Sequence, residues 1–309
     1  YMQLRQATRQ QAKLKIGLAG PSGAGKTYSA LLIAAGMTEW SKIAVIDTEN
    51  KSADLYESLP KDNPDIKGGT DKFNVLTLEA PFSPERYIEA IKTCEDAGME
   101  VIIIDSITHE WSGKGGCLEI HGSMSGNSFT NWAKITPRHN AFIDAIIQSK
   151  CHVLTSVRKK QEYEMSKDSS GKTEVVKIGL AEQQREGFSY EVTLNFDISI
   201  DHYAKADKDR TGLFMDKPAV KISTDIGKIL LEWANAGDKP IEYKPDPKVV
   251  EPDIKRDLRA RLKELGATDD KKGAEIINGY LGTKFKDVNL LTDQQAKAAL
   301  EKLTNDLPF

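Results

Sequence analysis

The chain has 309 residues, 39% of them hydrophobic and 29% charged, and a net charge of −3 from 43 basic and 46 acidic side chains. That length allows one large domain plus a small one, and the composition is that of a globular protein. No apolar run approaches the roughly 18 residues of a membrane span, and the first residues (YMQLRQATRQQAKLK) hold no signal-peptide core. From Asp238 onward the tail carries 14 basic and 14 acidic residues, so neither part of the chain is basic overall. Bulk charge therefore does not argue for a nucleic-acid partner, and any such contact must rest on local loops. The three cysteines, Cys94, Cys117 and Cys151, are few, odd in number and far apart, which points to a reducing cytoplasm rather than a disulfide framework or a zinc site.

After a polar segment over residues 1–12, Leu14, Ile16 and Leu18 form a short apolar run that ends in Gly20-Pro-Ser-Gly-Ala-Gly25-Lys26-Thr27. The run fits G-x-x-x-x-G-K-[ST] between a strand and a helix, which is the context a P-loop requires. Glycines let backbone amides turn inward around a phosphate, and the following helix aims its positive end at the anion. The candidate nucleotide residues are Gly20, Ser22, Gly23, Ala24, Gly25, Lys26, Thr27 and the adjoining Tyr28. Lys26 reaches the β- and γ-phosphates and Thr27 ligates Mg²⁺, so the expected cofactors are ATP and Mg²⁺. The bland alternative is a glycine-rich turn.

The helix from Thr27 to about Met37 leads to Lys42-Ile-Ala-Val-Ile-Asp47-Thr48-Glu49, a buried parallel strand with acids at its carboxyl end. Ligands in open α/β sheets bind at such ends. A further strand is expected over Phe73–Ala80, and a helix from Pro84, capped by Ser83, to about Asp96. Val101-Ile-Ile-Ile-Asp105 reads as a Walker B strand whose aspartate holds the Mg²⁺ hydration shell. Residues 108–131, rich in Gly, Ser and His, read as a long loop, and Asn131–Ser149 as a helix that Pro137 either kinks or starts. Cys151–Arg158 is a short buried strand, and Lys159–Thr173 a polar loop. Tyr190, Val192, Leu194, Phe196, Ile198 and Ile200 alternate with polar residues, which predicts one half-buried, antiparallel strand over Ser189–Asp201, paired with His202–Arg210. Thr224–Ala236 is helical. The proline-rich residues 238–252 read as a linker, and helices at about 253–265, 271–281 and 292–303 as a small helical domain over 253–309. His109, His121, His139 and His152 lack metal-ligand spacing.

Asp47-Thr48-Glu49 between the P-loop and Walker B, with Ser106 after Asp105, resembles the RecA family of recombinases. HEWSGKGG, LTSVRKK, KIGLAEQQREGFSYE and KDRTGLF extend the likeness, over about residues 13–237, to phage-encoded RecA-core ATPases that include single-strand annealing proteins. The resemblance implies an α/β core, mainly a parallel sheet flanked by helices with an antiparallel extension, and ATP hydrolysis in a bacterial host cytoplasm. It makes Glu49 the catalytic base, against a solvated strand-end acid, and Asp105 the Mg²⁺ partner. Ser156-Val157-Arg158 stands where such recombinases carry an Asn-Gln pair, which leaves Arg158 to sense the γ-phosphate and puts RecA-style strand exchange in doubt. It also implies self-association into a filament or ring, with Lys208 and Arg210 acting on a neighbour's ATP, Arg185 as runner-up, against a charged turn. Residues 109–130 and 159–185 are the expected contacts with single-stranded DNA, as against ordinary loops. Lys159, Lys160, Lys172, Lys177 and Arg185 are placed to meet phosphates, and Trp111, Phe129 or Tyr163 to stack on bases. Residues 151–185 hold seven basic against five acidic side chains. The competing function is a RecA-core motor or regulatory ATPase acting on protein partners. A small-molecule kinase, which shares the P-loop, would want an arginine-rich lid and an acceptor pocket, and neither is recognisable in the sequence.

Overall fold

The computed structural model describes residues 6–57, 71–167, 173–238 and 254–305. The chain divides into two compact units, Tyr1–Pro240 and Ile241–Phe309.

The first unit is built on β1 (Lys15–Gly20), α1 (Lys26–Met37), β2 (Ile43–Asp47), β3 (Asn74–Thr77), α2 (Pro84–Asp96) and β4 (Val101–Asp105). It continues with α3 (Thr108–Ser112), α4 (Cys117–Ser123), α5 (Ser128–Gln148), β5 (His152–Lys167), β6 (Thr173–Glu182) and α6 (Phe188–Glu191). It ends with β7 (Leu194–Ile198), β8 (Tyr203–Asp209), β9 (Val220–Lys221) and α7 (Thr224–Asn235). The sheet runs β3-β2-β4-β5-β1-β7-β8-β9, with β6 paired to β5 alone. The ladders from β3 through to β7 are parallel, and β5–β6, β7–β8 and β8–β9 are antiparallel. The expected architecture is therefore observed.

Strand residues feed two cores by alternation. Ile16, Leu18, Val45, Ile103, Leu154 and Phe196 pack under α1 and α7. Ala19, Ile46, Ile102, Ile104 and Val153 face the other way, under α2 and α5, with Tyr87, Ile91, Phe142 and Ile146. Each fully buried Ile, Leu or Val stabilises the fold by about 1.5–3 kcal/mol, which is why the central strands read as continuous apolar runs. On the outside of α7, the described N-terminal residues dock: Gln11 N donates to Asp238 O at 2.8 Å, and the Arg9 guanidinium lies 4.6 Å from the Trp233 ring centre.

Four expectations need correction. Residues 108–131 are not a loop but α3, α4 and the first turn of α5; Asn127 caps α5 by accepting from Phe129 N at 2.8 Å, and Pro137 stands inside the helix. Small polar residues supply caps as readily as loops, so composition misplaced that boundary. Lys159–Lys167 is not a loop either. β5 continues through it and pairs with β6 from Lys159↔Glu182 to Lys167↔Thr173. The ladder is made by backbone groups, which a polar sequence does not forbid. The strand predicted over Ser189–Asp201 is shorter: α6 takes up Tyr190, β7 is parallel to β1 as well as antiparallel to β8, and Tyr190 and Ile200 are exposed. The strand predicted over Phe73–Ala80 is only β3.

The second unit holds α8 (Ile254–Glu264), α9 (Asp270–Leu281) and α10 (Asp293–Asn305), close to the predicted helices, around Leu258, Leu262, Ile277, Val288 and Leu303. Asp269 caps α9 by accepting from Lys271 N and Lys272 N. Apart from Asp238, the predicted linker up to Pro252 lies outside the described residues.

Candidate active site

β1 delivers the chain to Gly20, and the next five residues turn into α1 with Gly23 and Gly25 at φ 82° and 85°. Both are left-handed conformations in which a β-carbon is strained, so glycine is required there. α1 opens at Lys26 with no side-chain cap, which leaves its first amides for an anion. Lys26 Nζ donates to Pro21 O at 2.8 Å. Burial lowers its pKa; Asp105 and Glu49 oppose that, and Arg158 reinforces it.

β4 brings the buried Asp105 beside Thr27. The Thr27 hydroxyl donates to one carboxylate oxygen of Asp105 and the Ser156 hydroxyl to the other. Burial raises the pKa of Asp105, and those two hydroxyls pull it back. Thr27 Oγ1 and Asp105 form an all-oxygen donor set at the mouth of the phosphate loop, which fits a hard divalent cation such as Mg²⁺.

β2 ends at Asp47, whose carboxylate accepts from Glu49 N at 2.6 Å and Ala53 N at 3.0 Å. Thr48 straps this turn to β4: its amide donates to Asp105 O at 2.8 Å, and its hydroxyl accepts from Ser106 N at 2.8 Å. The turn carries Glu49 over the end of β4. From β5, on the far side of β4, Arg158 reaches back, with Nη2 at 2.7 Å and Nε at 2.9 Å from Glu49 Oε1. In register Arg158 lies beside Gly20 of the phosphate loop.

These groups line one cleft of about 540 Å³. Ser22, Gly23, Gly25, Lys26, Thr27, Tyr28, Glu49, Asp105 and Arg158, all anticipated, are in its wall. Gly20 and Ala24 belong to the loop but not to the lining; Ala24 is fully buried. Ser52, Tyr56 and His202 were not anticipated. Tyr56 stacks on Tyr28 at 6.0 Å between ring centres, and burial raises its pKa, with Asp105 and Glu49 adding to the effect. His202, at φ 67° in the β7–β8 turn, places Nδ1 3.1 Å from Ala24 O. Only the tertiary approach of that turn brings it there, so no local pattern announced it.

Other candidates stand elsewhere. Lys208 and Arg210 do not line the cleft. Lys208 Nζ is buried without a hydrogen-bond partner among the described residues, and burial lowers its pKa, while Arg210 Nη2 donates to Tyr190 O at 3.0 Å. Arg185 lines a separate cavity of about 360 Å³ with His139 and Phe188. Lys159 pairs with Asp197 at 3.0 Å and Lys160 is exposed. Lys172 lies outside the described residues; Lys177 and Tyr163 fall on the β6–β5 ribbon, with their side chains outside the description. Phe129 is 86% exposed, whereas Trp111 stacks on Trp132. His139, which showed no metal spacing in sequence, meets Glu110 and Cys117 in a buried cluster drawn from three helices. Cys117 Sγ donates to Glu110 Oε1 at 3.0 Å and His139 Nδ1 lies 3.1 Å from the same oxygen, so the cluster satisfies its own polar atoms.

No curated protein matches the chain. Among matching solved structures is the crystal structure of the RadB recombinase, with a TM-score of 0.37 and 15% identity over 70% of this chain and 89% of that one. A family profile described as an AAA domain matches residues 12–223. That span takes in the phosphate loop, Glu49, Asp105 and Arg158 and covers more than half of the sequence, and the chain belongs to the AAA domain family.

Proposed function

We propose that the chain is a RecA-like ATPase that acts on single-stranded DNA in annealing or recombination, as an oligomer. The observation that carries the ATPase reading is the convergence of Lys26, the Thr27–Asp105 pair, Glu49 and Arg158 in one cleft. Phosphoryl transfer needs positioning and charge neutralisation more than covalent chemistry. The amides of Gly23 to Lys26 hold the β-phosphate, and Lys26 Nζ leaves Pro21 O for the β- and γ-oxygens. Thr27 and Asp105 would hold Mg²⁺, which supplies further neutralising charge. Glu49 orients a water against the γ-phosphorus. The water oxygen bonds to phosphorus, the bond to the ADP oxygen breaks, and Glu49 takes the water proton.

The DNA reading is supported by the sequence resemblance and by the two-stranded ribbon that grows from β5, the strand carrying Arg158, with Lys160 exposed at its base. Lys159 has its charge engaged by Asp197 and is the weaker candidate for a phosphate. Lys208 and Arg210, outside their own cleft, serve a neighbouring subunit's ATP in this reading. The test is the ATPase rate with and without single-stranded DNA, at low and moderate salt, for the wild type and Glu49→Gln. Salt-sensitive stimulation by DNA and a loss of ~10²–10⁴-fold on substitution are expected. Turnover indifferent to DNA moves the reading to a protein-directed ATPase, and turnover that survives Glu49→Gln places the base elsewhere.

A further inference from the structure

Glu49 and Arg158 come from strands on either side of β4 and meet over its end, above Asp105. Two nitrogens of the guanidinium, Nε and Nη2, converge on the single oxygen Oε1 of Glu49. The Nε–Nη2 edge is the side-on fork by which arginine takes carboxylates and phosphates alike. Arg158 also stands beside Gly20 and close enough to Lys26 to influence its proton affinity. A terminal phosphate held by Lys26 therefore lies within the reach of the same fork that Glu49 occupies. While its carboxylate is held by two nitrogens of the guanidinium, Glu49 is not free to turn toward an attacking water.

We propose that Arg158 is a positioning residue that couples arrival of the γ-phosphate to release of the catalytic carboxylate. Glu49 and the terminal phosphate compete for one guanidinium. ATP wins the fork and frees Glu49 for the water; ADP, which lacks the third phosphate, leaves the pair closed. The proposal rests on the ATPase reading above, and it adds that Glu49 is restrained until the correct nucleotide is in place.

Competition of this kind has a signature in binding, apart from catalysis. If ATP must displace Glu49 from Arg158, removing the carboxylate charge tightens ATP, but only while Arg158 is present. The experiment is a double-mutant cycle on the full chain: wild type, Glu49→Gln, Arg158→Ala and the double variant. Each is titrated with a non-hydrolysable ATP analogue and with ADP in the presence of Mg²⁺. Glu49→Gln should tighten the analogue roughly five-fold, the equilibrium worth of a half-exposed ion pair. In the Arg158→Ala background the same substitution should leave analogue affinity unchanged. ADP affinity should be equal in all four, which also shows that each variant keeps an intact phosphate loop. Arg158→Lys, which keeps the cation, should restore part of the tightening.

Direct repulsion between Glu49 and the phosphate predicts the opposite pattern. The tightening then persists or grows when Arg158 is removed, and that result overturns the proposal. So does an analogue affinity that Glu49→Gln leaves unchanged in the wild-type background. A wild type that hydrolyses ATP yet shows either pattern keeps the ATPase reading and loses the coupling. A wild type that binds neither nucleotide loses both.

Discussion

At the scale of single residues, polar groups were recognisable where chemistry demands a type at a spacing, and unrecognisable where a partner arrives from a distance. Lys26, Thr27, Glu49 and Asp105 were readable because each sits at a fixed offset from a strand end. Tyr56 and His202 share their cleft and had no such mark. His152 is another case. It lies at the start of β5, 3% exposed, and its Nδ1 accepts from Leu14 N at 3.1 Å. Burial, with Lys13 and Lys15 nearby, holds its pKa down at about 3, against 6.5 ordinarily. Between those values the unfolded chain binds a proton that the folded chain refuses, so stability falls as pH drops through that window. The expected loss approaches ~4 kcal/mol near its lower end. Urea unfolding of the wild type and His152→Asn at pH 7, 5.5 and 4.5 measures it. The asparagine keeps an acceptor for Leu14 N and does not titrate, so its stability should fall less steeply. Equal slopes would show that His152 is not the group responsible.

At the scale of elements, α1 and α7 cross in contact because each carries a glycine at the crossing. A β-carbon on Gly36 would meet Thr224 O at 2.0 Å, and one on Gly227 would meet Ile33 O at 2.1 Å. Both are backbone atoms and cannot turn aside. Alanine at a helix interior normally gains about 1 kcal/mol over glycine, but here the two helices must separate first. Gly227→Ala is expected to cost about 1–3 kcal/mol net, read as a lower urea midpoint at unchanged slope. A gain in stability would mean that the crossing has slack. The extent of α7 was readable, since the helix predicted over Thr224–Ala236 is observed over Thr224–Asn235, but its periodicity did not tell which helix it would touch. The ribbon of β5 and β6 escaped for a related reason: its pairing partners are set by chain reversal, not by an apolar pattern.

At the scale of the whole molecule, every residue lining the cleft belongs to the unit that ends at Pro240. That unit has its own two cores, and the second unit has a separate one. A chain ending at Pro240 should therefore bind Mg²⁺-ADP with an affinity within about two-fold of the full chain, since it keeps every described residue that lines the cleft. Calorimetric titration of both chains decides this. A large loss would mean that the second unit contributes to the site. Among the described residues no helix is long and apolar enough to cross a membrane.

The sequence by itself determined the parts of this protein that depend on neighbours in the chain. The phosphate loop needs glycines at two left-handed positions and a lysine at the helix start, and those are adjacent residues. The buried parallel strands are continuous apolar runs because helices cover both faces of the sheet. Only the tertiary structure decided what depends on residues far apart. Glu49 and Arg158 are separated by 109 positions and meet because β2 and β5 flank β4. Glu110, Cys117 and His139 meet because three helices pack together. His202 reaches the phosphate loop because β7 pairs with β1. Backbone geometry and helix periodicity are local, and can be read in order along the chain. Ion pairs and packing act through space, and the chain order does not record them.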